Sequence, residues 1–205
     1  QLAACYLLGL YLAQERGTLY SDEISRVMDE LAAIPDKISA VLENMPQILE
    51  VSKLLLPKKS VLFLGRHVGY PTALEGALKL KELAYLHAEG FPAGELKHGP
   101  IALVEPGIPI FVMVPPVGRD QLHGKMISNI EEVQARGAFT VVLAEEGDEQ
   151  AAEHADVFFE LPRVPAILQP LVATVPLQMF ACELAALKGY DVDKPRNLAK
   201  SVTVE

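Results

Sequence analysis

Short apolar segments alternate with helical segments in the part of the chain that begins at Ser60. The apolar segments are SVLFLG (60–65), IPIFVMVP (108–115), FTVVLA (139–144) and DVFFELP (156–162). Helical segments are predicted between and after them, at 71–88, 119–136 and 165–188. Strands that are apolar on both faces and alternate with helices are typical of a parallel sheet covered on both sides. We therefore predict an α/β fold, a three-layer αβα domain of flavodoxin-like or Rossmann-like type. In such folds ligands bind at the carboxyl ends of the strands, so the loop after SVLFLG is the first place to look for a site.

The first 55 residues are predicted to be helical throughout. Residues 1–14 are uncharged and almost wholly apolar, and a helix that is apolar on every face needs protein around it, so we expect it to be buried. Residues 17–55 predict further helices with breaks at Pro35 and Pro46. The uncharged stretch 164–182 contains three prolines and two glutamines, which favours a second buried helix over a membrane span.

Composition narrows the function classes. With 18 Lys and Arg against 27 Asp and Glu, the formal net charge of the 205 residues is −9, which argues against a protein that grips a nucleic-acid backbone. Hydrophobic residues make up 50% of the sequence, and this composition excludes intrinsic disorder. Two cysteines, Cys5 and Cys182, cannot form a disulfide framework, and a reducing, cytoplasmic location is expected. The histidines have no ligand-like spacing, so neither a metal site nor a bound cofactor is expected.

A polar stripe is predicted on the helix after SVLFLG. At 100° per residue, Glu75, Lys79 and Glu82 fall within about 60° of one another, with leucines on both sides. An acid and an amine one turn apart between apolar walls can shift each other's pKa, which suits acid–base chemistry. The alternative is a solvated ion-pair ladder without function. Lys81 points elsewhere and is expected at the surface.

Two further segments are candidates for chemistry. EGFPAGELKHGP (89–100) is predicted to be a folded, glycine-rich loop that displays Glu95, Lys97 and His98, although a surface loop with an incidental histidine has the same pattern. Lys200 lies among apolar residues of the tail and could supply a nucleophilic amine for Schiff-base chemistry. The alternative for Lys200 is a solvated lysine in an exposed tail.

Two long segments resemble a known family. ALEGALKLKELAYLHAEGFPAGELKHGPIAL (73–103) and DVDKPRNLAKSVTVE (191–205) are similar to the carboxy-terminal half of the isomerase region in the glutamine–fructose-6-phosphate aminotransferase (isomerizing) family. That family has a glutaminase domain followed by two sugar isomerase (SIS) domains and makes glucosamine 6-phosphate from fructose 6-phosphate and glutamine. The resemblance implies that 56–190 is the second SIS domain, 191–205 a catalytic tail, 17–55 a helical connector and 1–16 the last helix of a preceding SIS domain.

The resemblance also implies residue roles. Glu82 would move a proton between C1 and C2 of the sugar with help from Lys79, and His98, supplied by the neighbouring subunit of a homodimer, would open the sugar ring. Lys200 would form an imine with the C2 carbonyl, and Ala199 with Lys200 would contact the substrate. The glutaminase domain, the first SIS domain and the Ser/Thr-rich phosphate loop of the family have no match here. The chain alone is therefore expected to bind fructose 6-phosphate weakly or not at all and to be inactive.

Two other functions stay open at this point. SIS domains also occur as non-catalytic modules that bind phosphosugars, and such a module needs neither a proton shuttle at Glu82 nor an imine at Lys200. A chain that folds and dimerises without activity of its own is the third possibility.

Overall fold

The computed structural model describes residues 1–118 and 121–197; Ala199 and Lys200 lie outside the described residues. Its centre is a five-stranded, all-parallel sheet with the strand order β2-β1-β3-β4-β5. The strands are β1 (Ser60–Gly65), β2 (His87–Pro92), β3 (Pro109–Met113), β4 (Phe139–Glu145) and β5 (Val157–Leu161). Order and direction are those of a flavodoxin-like sheet, so the predicted three-layer α/β fold is confirmed.

Eight α-helices surround and precede the sheet in the described part of the chain. They are α1 (Leu2–Glu15), α2 (Ser21–Ala32), α3 (Ile34–Leu42), α4 (Met45–Leu55), α5 (Gly69–Leu83), α6 (Leu122–Gln134), α7 (Glu149–Glu153) and α8 (Gln169–Leu187). Pro35 and Pro46 lie in the first turns of α3 and α4, where a missing backbone N–H costs nothing, and both mark helix boundaries as predicted. Short 3₁₀ segments run over Ala93–His98, Pro100–Leu103 and Ala166–Leu168.

The two faces of the sheet carry separate cores. One face packs against α4, α5 and α8, and its centre is a row of three rings: Phe63 stacks on Phe111 at 5.1 Å, and Phe111 meets Phe180 of α8 at 4.7 Å between centroids. The other face packs against α6 and the 3₁₀ segment Ala93–His98. Each fully buried Phe stabilises the fold by about 1.5–3 kcal/mol, so the aromatic row fixes α8 against the strands.

The two apolar helices of the prediction differ in the structure. Helix α8 is buried among α3, α4 and α5, as predicted, although with the preceding 3₁₀ turn it is long and apolar enough to span a membrane by length and composition. Helix α1 is not buried within this chain, contrary to the prediction: none of its residues is buried against the described residues, and Cys5 is exposed. Its packing against a preceding SIS domain stays a prediction. Helix α1 touches the rest of the chain chiefly through α2 and through Tyr6, whose hydroxyl donates to the carbonyl of Ile167.

Four of the five strands lie where the apolar segments predicted them, and β2 was missed. We predicted a helix over 71–88 followed by a loop, but α5 ends at Leu83 and the chain re-enters the sheet at His87. Tyr85 turns the chain with a φ of +51°, a left-handed conformation that commonly ends helices. As an edge strand, β2 carries His87 and Glu89, which pair at 2.9 Å, and therefore lacks the apolar pattern of an inner strand.

Candidate active site

The predicted polar stripe forms a short ladder of ion pairs on α5. Lys79 Nζ lies 2.5 Å from Glu82 Oε2 and 3.8 Å from Glu75 Oε1. The side chains are 25% exposed at Lys79, 32% at Glu75 and 26% at Glu82, so the ladder is largely shielded from water. Gln178 of α8 extends it by donating to Glu75 Oε1 at 3.4 Å. The prediction that these three residues share one face is confirmed, and they form the i,i+4 and i,i+3 ion pairs of a ladder.

The position of the stripe follows from how α5 packs. Ala73, Ala77, Leu80 and Ala84 are buried in the core between the sheet and α8. Gly76 lies so close to both neighbours that a Cβ at this position would stand 2.7 Å from Phe63 Cε1 and 2.9 Å from Leu177 Cδ1. Because small residues allow this close packing, the adjoining polar edge of the helix, with Lys79 and Glu82, is held at a fixed distance from the sheet.

The ion pair stabilises the charged form of Lys79. The hydrogen bond to Glu82 raises the pKa of the Lys79 ammonium, burial opposes this, and the negative charge of Glu75 adds to the increase. Lys79 is therefore protonated at neutral pH and acts as a donor rather than as a base. It contacts Glu82 through Oε2 only, and Glu82 Oε1 has no hydrogen-bond partner among the described residues.

A cleft of about 540 Å³ adjoins Glu82 at the end of α5. It is lined by Lys81, Glu82, Tyr85, Leu86, His87, Arg196 and Asn197. The cleft thus joins the end of α5 to the last described residues of the tail. Lys81 is exposed at its rim, as predicted for a surface lysine.

Tyr85 fastens the tail to this cleft. Its hydroxyl accepts a hydrogen bond from the backbone N–H of Arg196 at 2.7 Å, and the Arg196 guanidinium lies 4.0 Å above its ring. The ring of Tyr190 contacts Tyr85 with 4.7 Å between centroids. No periodic pattern in the sequence indicates this anchor, because the contact joins residues 111 positions apart.

His98 does not join this cleft. It is exposed at the end of the 3₁₀ segment after β2, on the side of the sheet that packs against α6. The neighbouring Lys97 pairs with Glu132 of α6 at 2.6 Å. The structure therefore brings Lys79 and Glu82 together and leaves His98 apart, while Ala199 and Lys200 are outside the described residues.

The carboxyl edge of the sheet, where a ligand was first expected, holds a separate cleft of about 350 Å³. The loops after β1, β3 and β5 enclose it, and His67 and Glu145 are its titratable residues. Burial raises the pKa of Glu145, and the charge of Arg163 opposes that change. Glu82 is not there: because α5 runs antiparallel to the strands, Glu82 lies close to the start of β2, at the opposite edge. Within residues 1–118 and 121–197, no group of three His, Cys, Asp or Glu side chains could hold a metal ion.

The comparisons with known proteins agree with this architecture. The sequence pattern of the SIS domain matches residues 54–188. Over the whole chain, identity is 63% to a glutamine–fructose-6-phosphate aminotransferase [isomerizing] of Corynebacterium efficiens and 61% to one of Streptomyces coelicolor. The chain covers 33% and 34% of these two proteins, so it spans about a third of the length of the curated relatives it matches.

Solved structures give the same picture. The C-terminal domain of glucosamine-fructose-6-phosphate aminotransferase from Francisella tularensis superposes with a TM-score of 0.86 at 36% identity, over 92% of this chain and 52% of that one. A putative tagatose-6-phosphate ketose/aldose isomerase from Clostridium novyi shares the fold, with a TM-score of 0.78 at 18% identity over 90% of this chain and 50% of that one. With the sheet order, the packing of α5 and the match over 54–188 in agreement, the chain belongs to the SIS domain family.

Proposed function

We propose that this chain supplies the sugar-isomerising site of an isomerizing glutamine–fructose-6-phosphate aminotransferase. The reaction converts fructose 6-phosphate and ammonia derived from glutamine into glucosamine 6-phosphate. The observation that carries the proposal is the shielded Lys79–Glu82 ion pair at the wall of a cleft that the tail residues Arg196 and Asn197 also line. The names of the relatives that are 60–63% identical over the whole chain support it.

Glu82 acts as the proton shuttle. Converting the C2 imine of the sugar into a 2-amino aldehyde requires removal of a proton from C1, an enamine intermediate and return of a proton to C2. A single carboxylate that reaches two adjacent carbons can perform both steps. Lys79 holds Glu82 through Oε2, which leaves Oε1 available to take and return the proton.

Lys79 is a positioning residue in this scheme. Its raised pKa keeps it cationic at neutral pH, so it holds the Glu82 carboxylate in one orientation through a 2.5 Å contact. Glu75 lies on the other side of the ammonium, and Gln178 in turn donates a hydrogen bond to Glu75. A restrained carboxylate loses less conformational freedom when the substrate binds, which favours proton transfer.

Lys200 forms the covalent intermediate. Its amine attacks the C2 carbonyl of the open-chain sugar, a C–N bond forms, and the carbonyl oxygen leaves as water. Ammonia then displaces the lysine and leaves the sugar imine for Glu82. Lys200 follows Asn197 by three residues in the sequence, and Asn197 lines the same cleft as Glu82. Ala199, next to Lys200, contacts the substrate.

The remaining roles concern the assembly. His98 opens the sugar ring and comes from the partner copy in a homodimer, which suits its exposed position away from Glu82. The chain is organised as a helical connector at 17–55, a SIS domain at 56–190 and a catalytic tail at 191–205. Residues 1–16 pack on a preceding SIS domain. The acidic composition and the two free cysteines suit a cytoplasmic protein.

Trapping the imine tests this proposal. This chain is placed in a protein of the relatives' full length, incubated with fructose 6-phosphate, reduced with borohydride and examined by peptide mass spectrometry. The expected result is a hexitol phosphate adduct on Lys200 that is absent in Lys200→Arg. The matched control is Lys194→Arg, which makes the same replacement six residues earlier in the tail and should leave the adduct intact.

The outcomes separate the candidate functions. An adduct on Lys200 with Glu82→Gln inactive supports an isomerising enzyme. Fructose 6-phosphate binding without any adduct would indicate a non-catalytic phosphosugar module instead. Neither binding nor adduct in a folded protein would contradict both.

A further inference from the structure

A second polar cleft, of about 240 Å³, lies on the face of the sheet that packs against α6. Its basic side chains come from three different elements: Arg66 follows β1, Lys97 lies in the 3₁₀ segment Ala93–His98, and Lys125 lies on α6. Gly94, Ser128, Asn129 and Glu132 complete the lining. We propose that this cleft binds a phosphate group, either free or on a small phosphorylated molecule.

Arg66 is held in an orientation suited to an oxyanion. Asn129 Oδ1 accepts one hydrogen bond from Arg66 Nε at 3.1 Å and another from Nη2 at 2.8 Å. These bonds fix one edge of the planar guanidinium and use two of its five N–H donors. The edge formed by Nη1 and Nη2 has no other hydrogen-bond partner among the described residues. Two parallel donors on such an edge match the spacing of two phosphate oxygens.

Gly94 leaves room for this edge. A Cβ at Gly94 would stand 3.1 Å from Arg66 Nη1, so a side chain there would crowd the guanidinium. Asn129, which fixes the other edge of Arg66, is itself buried on α6. The two-donor edge of Arg66, its guanidinium fork, is therefore positioned before any ligand binds, which reduces the entropy cost of binding.

The charges of the cleft favour an anion. Arg66, Lys97 and Lys125 contribute three positive charges and Glu132 one negative charge, so the lining has a net charge of +2 in a chain whose formal net charge is −9. Glu132 is already engaged: its Oε1 lies 2.6 Å from Lys97 Nζ, and its Oε2 accepts from Asn129 Nδ2 at 3.4 Å. An ammonium has three N–H donors, so this ion pair leaves Lys97 able to contact a second anion.

Helix α6 adds two donors to the same opening. Lys125 and Ser128 are three residues apart, so their side chains lie on one face of the helix, and both are exposed. With Arg66 and Lys97 opposite, a tetrahedral anion would meet donors from two sides. The cleft is on the opposite face of the sheet from Glu82, because α5 and α6 pack on different faces. The proposed phosphate site is therefore separate from the Glu82 cleft of the same chain.

The test is a titration of the isotope-labelled 205-residue chain followed by ¹H–¹⁵N NMR. Sodium phosphate is added at constant ionic strength, balanced with sodium chloride, and glycerol 3-phosphate is titrated separately. We expect saturable shifts at the Arg66 Nε–H group and at the amides of Gly94 and Ser128. Saturation with both ligands indicates recognition of the phosphate group alone, and saturation only with glycerol 3-phosphate indicates that the organic substituent contributes.

Three variants and one control locate the site. Lys125→Met and Ser128→Ala change exposed side chains and should leave the fold intact, and each should weaken phosphate binding about twofold to fivefold. Arg66→Lys, which removes the fork, should weaken it most. Lys59→Met removes the same charge from an exposed position just before β1, and should leave binding unchanged. Absence of saturable shifts, or equal weakening by Lys59→Met and Lys125→Met, would overturn the proposal.

Discussion

Lys79 and Glu82 form a largely shielded ion pair on the last turns of α5, with 2.5 Å between Nζ and Oε2. A second carboxylate, Glu75, lies 3.8 Å from the same ammonium. The two carboxylates are therefore not equivalent: only Glu82 is in direct contact with Lys79 and also lines the cleft beside the tail. This asymmetry supports the proposed role of Glu82 as the proton shuttle and predicts different consequences for the two glutamine substitutions.

Glu82→Gln should abolish sugar isomerisation in a full-length protein that carries this chain, while glutamine hydrolysis continues. General acid–base catalysis contributes about 10²- to 10⁴-fold, so kcat for glucosamine 6-phosphate formation should fall at least about a hundredfold. Glu75→Gln is the matched control and should have a much smaller effect. Loss of both activities together in Glu82→Gln would point to misfolding and would contradict a specific catalytic role.

Lys79→Met should change the pH dependence of stability. The pKa of Lys79 is raised in the folded chain, so the stabilisation by its ion pairs is fully present below the unfolded pKa of about 10.4 and is lost as pH rises through the higher folded pKa. At pH 7 the free energy of unfolding of the variant should be lower than that of the wild type by about 0.5–1 kcal/mol. The difference from the wild type should shrink above about pH 10.5.

Urea denaturation of the 205-residue chain at pH 7, 9 and 11 measures this difference. Lys81→Met is the control, because Lys81 is exposed two residues away and has no ion-pair partner among the described residues. A difference for Lys79→Met that stays constant across the three pH values would show that its effect comes from lost packing rather than from the ion pair.

Much of the fold and part of the site could be predicted from the sequence. Inner strands such as β1 are apolar on both faces, so each is visible in the sequence as a continuous run of apolar residues. The edge strand β2 carries His87 and Glu89 and lacks such a run. The stripe at Glu75, Lys79 and Glu82 follows from helical geometry alone. The contact of Tyr85 with Arg196 does not, because it depends on how the chain returns to α5 after α8.

The same distinction explains the errors at helix boundaries. The segment 71–88 contains no proline and no glycine near its end, so nothing in it predicts that the helix stops at Leu83. Tyr85 ends it with a positive φ that glycine more commonly supplies, and its ring contacts with Tyr190 and Arg196 accompany that conformation. Tertiary contacts here override a local pattern that favours helix.

Tyr85→Ala should release the tail without unfolding the domain. The substitution removes the acceptor for the Arg196 N–H and the ring beneath its guanidinium, so trypsin should cleave after Arg196 several times faster. Tyr85→Phe keeps the ring and should give an intermediate rate. Tyr20→Ala, at a residue 78% exposed, is the control. Unchanged cleavage rates in Tyr85→Ala would show that Tyr85 does not hold the tail.

Gly76→Ala and Gly124→Ala should change stability in opposite directions. Both glycines lie inside helices, where alanine is intrinsically better by about 0.5–1 kcal/mol. At Gly76, however, the new methyl would stand 2.7 Å from Phe63 Cε1 and 2.9 Å from Leu177 Cδ1 and would push α5 away from the sheet and α8. At Gly124 it would meet no atom within 4 Å in the described part of the chain.

We expect Gly76→Ala to lower the free energy of unfolding by about 1–3 kcal/mol, because overpacking a close contact outweighs helix propensity. Gly124→Ala should raise it by about 0.5–1 kcal/mol. Urea denaturation of the 205-residue chain measures both. Because α5 carries Lys79 and Glu82 on the adjoining edge, Gly76→Ala should also lower kcat in the full-length protein, whereas Gly124→Ala should leave it unchanged. Stabilisation by Gly76→Ala would contradict the close packing that fixes the distance of the polar stripe from the sheet.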